Sequence, residues 1–199
     1  MDVHSEVDVD AIVRSGWADP AVFGAEEWAR ACAFWQQRRH YDDWLLRVRS
    51  RAADLVYEWT GRQARDVGSF GTRLNLESSD LDLGIGFPVA EREHLIAALK
   101  PHTEFKGERQ TRFDTSRLVF SFELDGVEID VSALTDEDFA VACRMLDQIE
   151  AGMNTDERIA HTWVKHLLRE AGRKEDYAAW KLVVYARYCP EFNWVPIHE

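Results

Sequence analysis

Two periodicities divide the chain. From about Glu26 to Trp59 apolar side chains fall at Trp28, Cys32 and Trp35, then at Leu45, Val48, Ala52, Leu55 and Val56. These three- and four-residue steps predict a helix closed by Gly61. From Arg62 to Leu134 the step shortens to two: a short strand ends at Val67, DLDLGIGF forms the next, and RLVFSFEL and VEIDVSAL read as a hairpin turned at Asp125-Gly126. Between them Glu91 to Leu99 has helical spacing and is stopped by Pro101. Beyond Leu134 the helical spacing returns, with Thr135 and Thr155 as expected N-caps ahead of acidic turns, Gly172 as a stop, and a last helix from about Lys174 that ends before Pro190. The order predicts an α+β fold, a small mixed β-sheet backed by helices. One compact unit is expected, with a helical lead-in (residues 1–61), the sheet (62–134) and a C-terminal helical region (135–199) whose Trp163, Leu167, Trp180, Val183 and Val184 pack on the cleft.

Composition narrows the function. The chain has 199 residues, 46% of them hydrophobic, enough for one good core. A formal net charge of -12 argues against a broad footprint for long nucleic acid, which needs several Lys or Arg on phosphates. Cys32, Cys143 and Cys189 lack CxxC spacing and read as core thiols in a reducing compartment, with no structural zinc. The seven histidines show no HxH, HxxxH or HExxH spacing, which gives a zinc hydrolase no support; His161 and His166 read as packing or surface residues. The start, MDVHSEVDVD, carries acids where a signal peptide needs basic and apolar residues, and no apolar run is long enough to span a membrane. A cytoplasmic protein is expected.

The candidate chemistry lies in the sheet region. A strand alternates faces, so Asp80 and Asp82, set among Leu81, Leu83 and Ile85, project together into one small volume. In GVEIDVSAL the residues Val127, Ile129, Val131 and Ala133 share one face and leave Glu128, Asp130 and Ser132 on the other, which predicts a third carboxylate beside the pair. Such a trio suits magnesium, with manganese as a substitute, because these ions take a few carboxylate oxygens and complete their shell with phosphate oxygens. Gly68-Ser69 offers the phosphate side: a residue without Cβ, N–H groups at a helix start and a hydroxyl donor. Arg73 either points towards those phosphates or is an exposed arginine on a helix face, and the sequence favours neither. Arg109, Arg112 and Arg117 either steer phosphate or pair with Glu104, Glu108 and Asp114, while Arg47, Arg49 and Arg51 spread around their helix.

GSFGTRLNLESSDLDL followed by VEIDV resembles the signature of the DNA polymerase beta-like nucleotidyltransferase superfamily. The local pattern is most similar to the noncanonical poly(A) polymerase and terminal uridylyltransferase branch and to small stand-alone bacterial members. The resemblance covers about Arg62 to Leu134. It implies a polymerase-beta-type sheet, magnesium dependence and a nucleoside triphosphate substrate such as ATP. Gly68 and Ser69 would form the phosphate-binding turn, the catalytic Asp80 and Asp82 the metal pair, and catalytic Asp130 the third metal ligand, which also takes the proton of the attacking hydroxyl. TWVKHLLREAG resembles the helix that offers a lysine to the triphosphate in that branch, which gives Lys165 this role. Members of the branch have a longer helical domain than residues 135–199 supply, which counts against processive polymerisation. The reading that follows is transfer of a nucleoside monophosphate to a hydroxyl, with a small molecule or a protein favoured over RNA as acceptor. The alternative is a nucleotide-binding regulatory or antitoxin-like module that keeps the fold without turnover.

Overall fold

The computed structural model describes residues 22–77, 79–111 and 115–192. The predicted lead-in forms a 36-residue helix, α1 (Ala25–Thr60). It stops where Gly61 turns left-handed at φ +67, a conformation that costs glycine little. The described residues fall into two compact units, 40–150 and 22–39 with 151–192, and α1 contributes a part to each.

In the first unit the alternating segments form β1 (Arg65–Asp66), β2 (Leu81–Phe87), β3 (Glu104–Gln110), β4 (Ser116–Leu124) and β5 (Val127–Thr135). One turn of helix, α2 (Gly68–Gly71), follows β1, and α3 (Arg92–Leu99) and α4 (Asp136–Gly152) complete the unit. The sheet order is β1-β2-β5-β4-β3. β2 and β5 run parallel and the other pairs antiparallel. As the two-residue period requires, Leu81, Leu83 and Ile85 of β2 and Val127, Ile129, Val131 and Ala133 of β5 are buried on one face. They meet Leu45, Val48, Ala52 and Val56 of α1 and Leu95 and Leu99 of α3. Each such aliphatic side chain contributes about 1.5–3 kcal/mol by leaving water. The hairpin turns at Asp125-Gly126, both with positive φ (53 and 77), as a two-residue Asp-Gly connection requires.

Three details depart from the sequence reading. β3 was not expected, because EFKGERQ is an edge strand with six of its seven residues exposed and a register shift between Phe105 and Gly107, so it carries no alternation. The cap before α5 (Thr155–Glu170) is Asn154 rather than Thr155: its side chain accepts from the Glu157 N–H while the Glu157 carboxylate accepts from the Asn154 N–H. Thr135 does cap α4, accepting from the Asp138 N–H at 3.2 Å. Of the three thiols only Cys189 is buried; Cys32 and Cys143 are half-buried, and all three are free. Arg112 and Asp114 lie outside the described residues. No described helix is long and apolar enough to cross a membrane.

The second unit groups the start of α1 with α5 and α6 (Lys174–Tyr185), and α1 meets α5. Buried Glu27 accepts from Trp163 Nε1 at 2.5 Å, and buried Arg38 donates to Thr162 at 3.3 Å. His161 is fully buried, 4.6 Å from the Trp180 ring and 3.3 Å from the Tyr177 hydroxyl. Burial, and after it the charges of Lys165, Lys181 and Arg158, hold the His161 imidazole well below its usual 6.5. In the unfolded chain this histidine takes a proton as pH falls through about 6.5, and in the folded protein it does so only at lower pH. Its contribution is therefore present above that value and lost as pH falls. Thermal melts between pH 7 and pH 5 should show a midpoint that drops more steeply for the native protein than for His161→Phe, and equal slopes would exclude the buried neutral imidazole.

Candidate functional site

The polar face of the sheet is open where β2 begins and roofed where it ends. Phe139 of α4 lies on Gly84 and Gly86: a Cβ would come to 3.0 Å from its ring at Gly84 and to 2.9 Å at Gly86. Glycine in a strand interior marks such a close approach, and this is the signal in DLDLGIGF that periodicity alone leaves unread. Ahead of the roof, Asp82 of β2 stands directly opposite Asp130 of β5 in the parallel ladder. Asp80, the residue before β2, is exposed, and its charge acts on Asp130. Two of the sequence-predicted residues, Asp82 and Asp130, thus share one face, with Asp80 at the start of the strand.

Asp130 is half-buried. Burial first, and then the carboxylates of Glu128 and Asp80, push its carboxyl above the ordinary carboxylate value, against Arg109 and Lys106, which act in the opposite sense. The opposing cations come from β3, the strand that the sequence did not reveal. Glu108, the other acid of that strand, bonds Arg92 at 2.5 Å and Ser116, and Glu104 bonds Lys106 at 2.6 Å. Glu108 and Glu104, for which pairing with Arg109 and Arg117 was one of two readings, thus bond Arg92 and Lys106.

Gly68 closes the other side of the pair. Its φ is +62, and an added Cβ would run into the Asp82 carboxylate, 2.8 Å from Cγ and closer still to Oδ2. The backbone is anchored there by Val67 N–H donating to the Asp82 carbonyl at 2.9 Å. Ser69 follows in the first turn of α2, half-buried, and its carbonyl accepts from the Leu74 N–H at 2.7 Å. The N–H groups of this first turn have no carbonyl four residues behind them within the helix. The turn that sequence analysis assigned to phosphate therefore sits against the metal-pair candidate.

Two other predicted residues are placed differently. Arg73, exposed and at φ 58, pairs with Glu150 of α4 at 2.8 Å. Lys165 belongs to the helical unit, where it is 1% exposed and lies 5.5 Å over the Tyr177 ring.

The donor set suits a hard divalent cation. Among the described residues no group of three or more His, Cys, Asp or Glu side chains gathers tightly enough to hold a metal ion unaided. Magnesium does not need such a cage, since it is commonly bound through one or two carboxylates together with substrate phosphates and water. The register-matched Asp82 and Asp130, with Asp80 alongside and the Gly68 backbone against Asp82, fit that mode.

The fold is that of the DNA polymerase beta-like nucleotidyltransferase superfamily, the one the motifs resemble. No protein-family model matches the chain, and no curated protein matches it. Among solved structures, Cid1 poly(U) polymerase with magnesium and 3'-dATP bound aligns at a TM-score of 0.52 and 12% identity, over 73% of this chain and 48% of that one. Another Cid1 structure, described for its RNA terminal uridylyl transferase activity, gives 0.55 at 12% identity over 82% and 53%. A cytoplasmic RNA terminal U-transferase gives 0.52 at 13% over 82% and 53%. The chain spans about half the length of these structures.

Proposed function

We propose that the protein is a magnesium-dependent nucleotidyltransferase that moves a nucleoside monophosphate from a nucleoside triphosphate to a hydroxyl, with pyrophosphate as leaving group. The observation that carries this reading is the juxtaposition of Asp82 and Asp130 on one sheet face, with Asp80 beside them and the Gly68 backbone against Asp82. Asp80 and Asp82 would hold the metal pair, and Asp130 the ion nearest the acceptor. When bound, these ions stabilise negative charge on the phosphoryl oxygens and the leaving group. The protein's own part is positioning: the first-turn N–H groups and the Ser69 hydroxyl donate to phosphate oxygens, and the Asp130 carboxylate takes the proton of the attacking hydroxyl. The solved structure with magnesium and 3'-dATP on this fold supports the choice of metal and of substrate class. Lys165 keeps the triphosphate role that the resemblance gives it. A phosphate role for Arg73 requires it to leave Glu150.

The structural neighbours are named for RNA terminal transfer, whereas this chain carries a net charge of -12 and favours a small molecule or a protein as acceptor. Incubation with each labelled nucleoside triphosphate, magnesium and separated RNA, protein and small-molecule fractions tests the reading. Label is expected in an acceptor fraction with release of pyrophosphate. Nucleotide binding without transfer to any fraction would instead favour the regulatory module. Ser69→Ala should lower kcat/KM for the triphosphate roughly ten- to a hundredfold, the worth of about 1.5–3 kcal/mol for one hydrogen bond to a charged group. Monophosphate binding should change less, and unchanged kinetics would remove Ser69 from the site.

A further inference from the structure

The segment that carries the Gly68 turn has little backbone pairing to hold it. β1 is two residues long and stands at the edge of the sheet, so only the pairs Arg65–Gly84 and Asp66–Leu83 tie it to β2. Ion pairs grip it from both faces. Paired residues share a face, which sets the Asp66 side chain on the core side with Leu83, and there Arg49 of α1 donates to its carboxylate at 2.6 Å. Arg65 shares the other face with Gly84 and donates to both carboxylate oxygens of Asp147 on α4. The two grips differ in weight. Arg65 and Asp147 form an exposed pair, of the kind that contributes little, whereas the side chains of Arg49 and Asp66 are only 29% and 24% exposed. The Asp66 backbone is also the floor of the turn. A Cβ on Gly71 would come to 2.8 Å from the Asp66 carbonyl, and the next residue, Val67, donates to the Asp82 carbonyl and accepts from the Gly71 N–H at 3.3 Å. A shift of Asp66 therefore moves α2 and its contact with Asp82 together.

We infer that Arg49 is a positioning residue for the triphosphate: through Asp66 it fixes the Gly68 turn against Asp82, without itself contacting phosphate. It reaches β1 from the core side, and the aspartate site lies on the opposite face of the sheet. The inference rests on the nucleotidyl-transfer reading and adds to its machinery a residue outside the motif. A rival account makes Arg49 a cation that attracts the triphosphate from a distance. The two accounts disagree in sign at Asp66. If Arg49 acted by charge alone, neutralising Asp66 would remove a repulsion and tighten triphosphate binding. If it acts by holding β1, the same change releases the strand and weakens binding. Arg51 supplies the comparison: it bonds Asp125 at the tip of the β4–β5 hairpin, so its loss removes an ion pair from the same helix without touching β1.

Calorimetric titration of the full chain with magnesium and the α,β-methylene analogues of ATP, GTP, CTP and UTP tests this apart from turnover, since these nucleotides bind but cannot be transferred. For the analogue that the native protein binds most tightly, Arg49→Gln and Asp66→Asn should each weaken binding about tenfold, and the double variant no more than either alone. Arg49→Lys, which keeps a cation for Asp66, should recover most of the loss. Arg51→Gln should bind as the native protein does. Melting temperatures should fall by similar small amounts in Arg49→Gln and Arg51→Gln, so that the difference in binding is not a difference in folding. Tighter binding in Asp66→Asn, unchanged binding in Arg49→Gln, or an equal loss in Arg51→Gln would overturn the positioning role and leave the nucleotidyl-transfer reading standing. A native protein that binds none of the four analogues would remove that reading, and the inference with it.

Discussion

Asp82→Asn should abolish nucleotidyl transfer while leaving the fold at least as stable as before when magnesium is absent. Asp82 faces Asp130 across the ladder and has Asp80 two residues away, so the metal-free site holds carboxylates that repel one another. Neutralising one relieves that repulsion, and the amide still fills the same space beneath Gly68. In the presence of magnesium and nucleotide the order should invert. The native protein gains stability by binding them in its folded state, and the variant gains little. A loss of transfer on the order of a thousandfold or more is expected, comparable to removal of a principal electrostatic stabiliser. Melting curves with and without magnesium, taken beside initial rates, separate the two roles. A lower melting temperature without magnesium, together with an unchanged rate, would make the pair a scaffold feature and return the protein to the regulatory reading.

The face shared by these acids was legible because a period of two is local: Leu81, Leu83 and Ile85 point to the core and so Asp82 does not. The hairpin was legible for the same reason, with Asp125-Gly126 supplying the positive φ values. The pairing of β2 with β5 could not be read, because which strands become neighbours depends on closure of the whole sheet and not on any short window. That pairing is what sets Asp82 opposite Asp130. β3 was hidden for a different reason: its side chains are exposed on both sides, so neither face needed to be apolar. With it were hidden Lys106 and Arg109, whose charges act on Asp130. The cap at Asn154 was off by one position because Asn and Thr stand side by side and both are good caps, and only Asn154 is placed to exchange bonds with Glu157. The motif had assigned Gly68 to phosphate, and the structure adds a second demand, from the Asp82 carboxylate beneath it.

That second demand yields the other large effect expected. Gly68→Ala and Gly61→Ala both place a Cβ on a residue at nearly the same left-handed φ, +62 and +67, so both should lose stability, by about 1–2 kcal/mol. They differ in what the methyl group meets. At Gly61 nothing lies within 4 Å, whereas at Gly68 the methyl runs into the Asp82 side chain. Asp82 cannot retreat along β2, because its carbonyl accepts from Val67 and its neighbours Leu81 and Leu83 are fixed in the core. The carboxylate must therefore rotate out of the position it shares with Asp130, or the turn carrying Ser69 must lift. Either movement damages the metal pair and the phosphate contacts together. Gly68→Ala should cut kcat at least a hundredfold, whereas Gly61→Ala, with a similar fall in melting temperature, should keep the native rate. If both variants retain full activity, the Gly68 backbone is not part of the site. If both lose it equally, the loss follows from backbone strain alone and the contact with Asp82 carries no function.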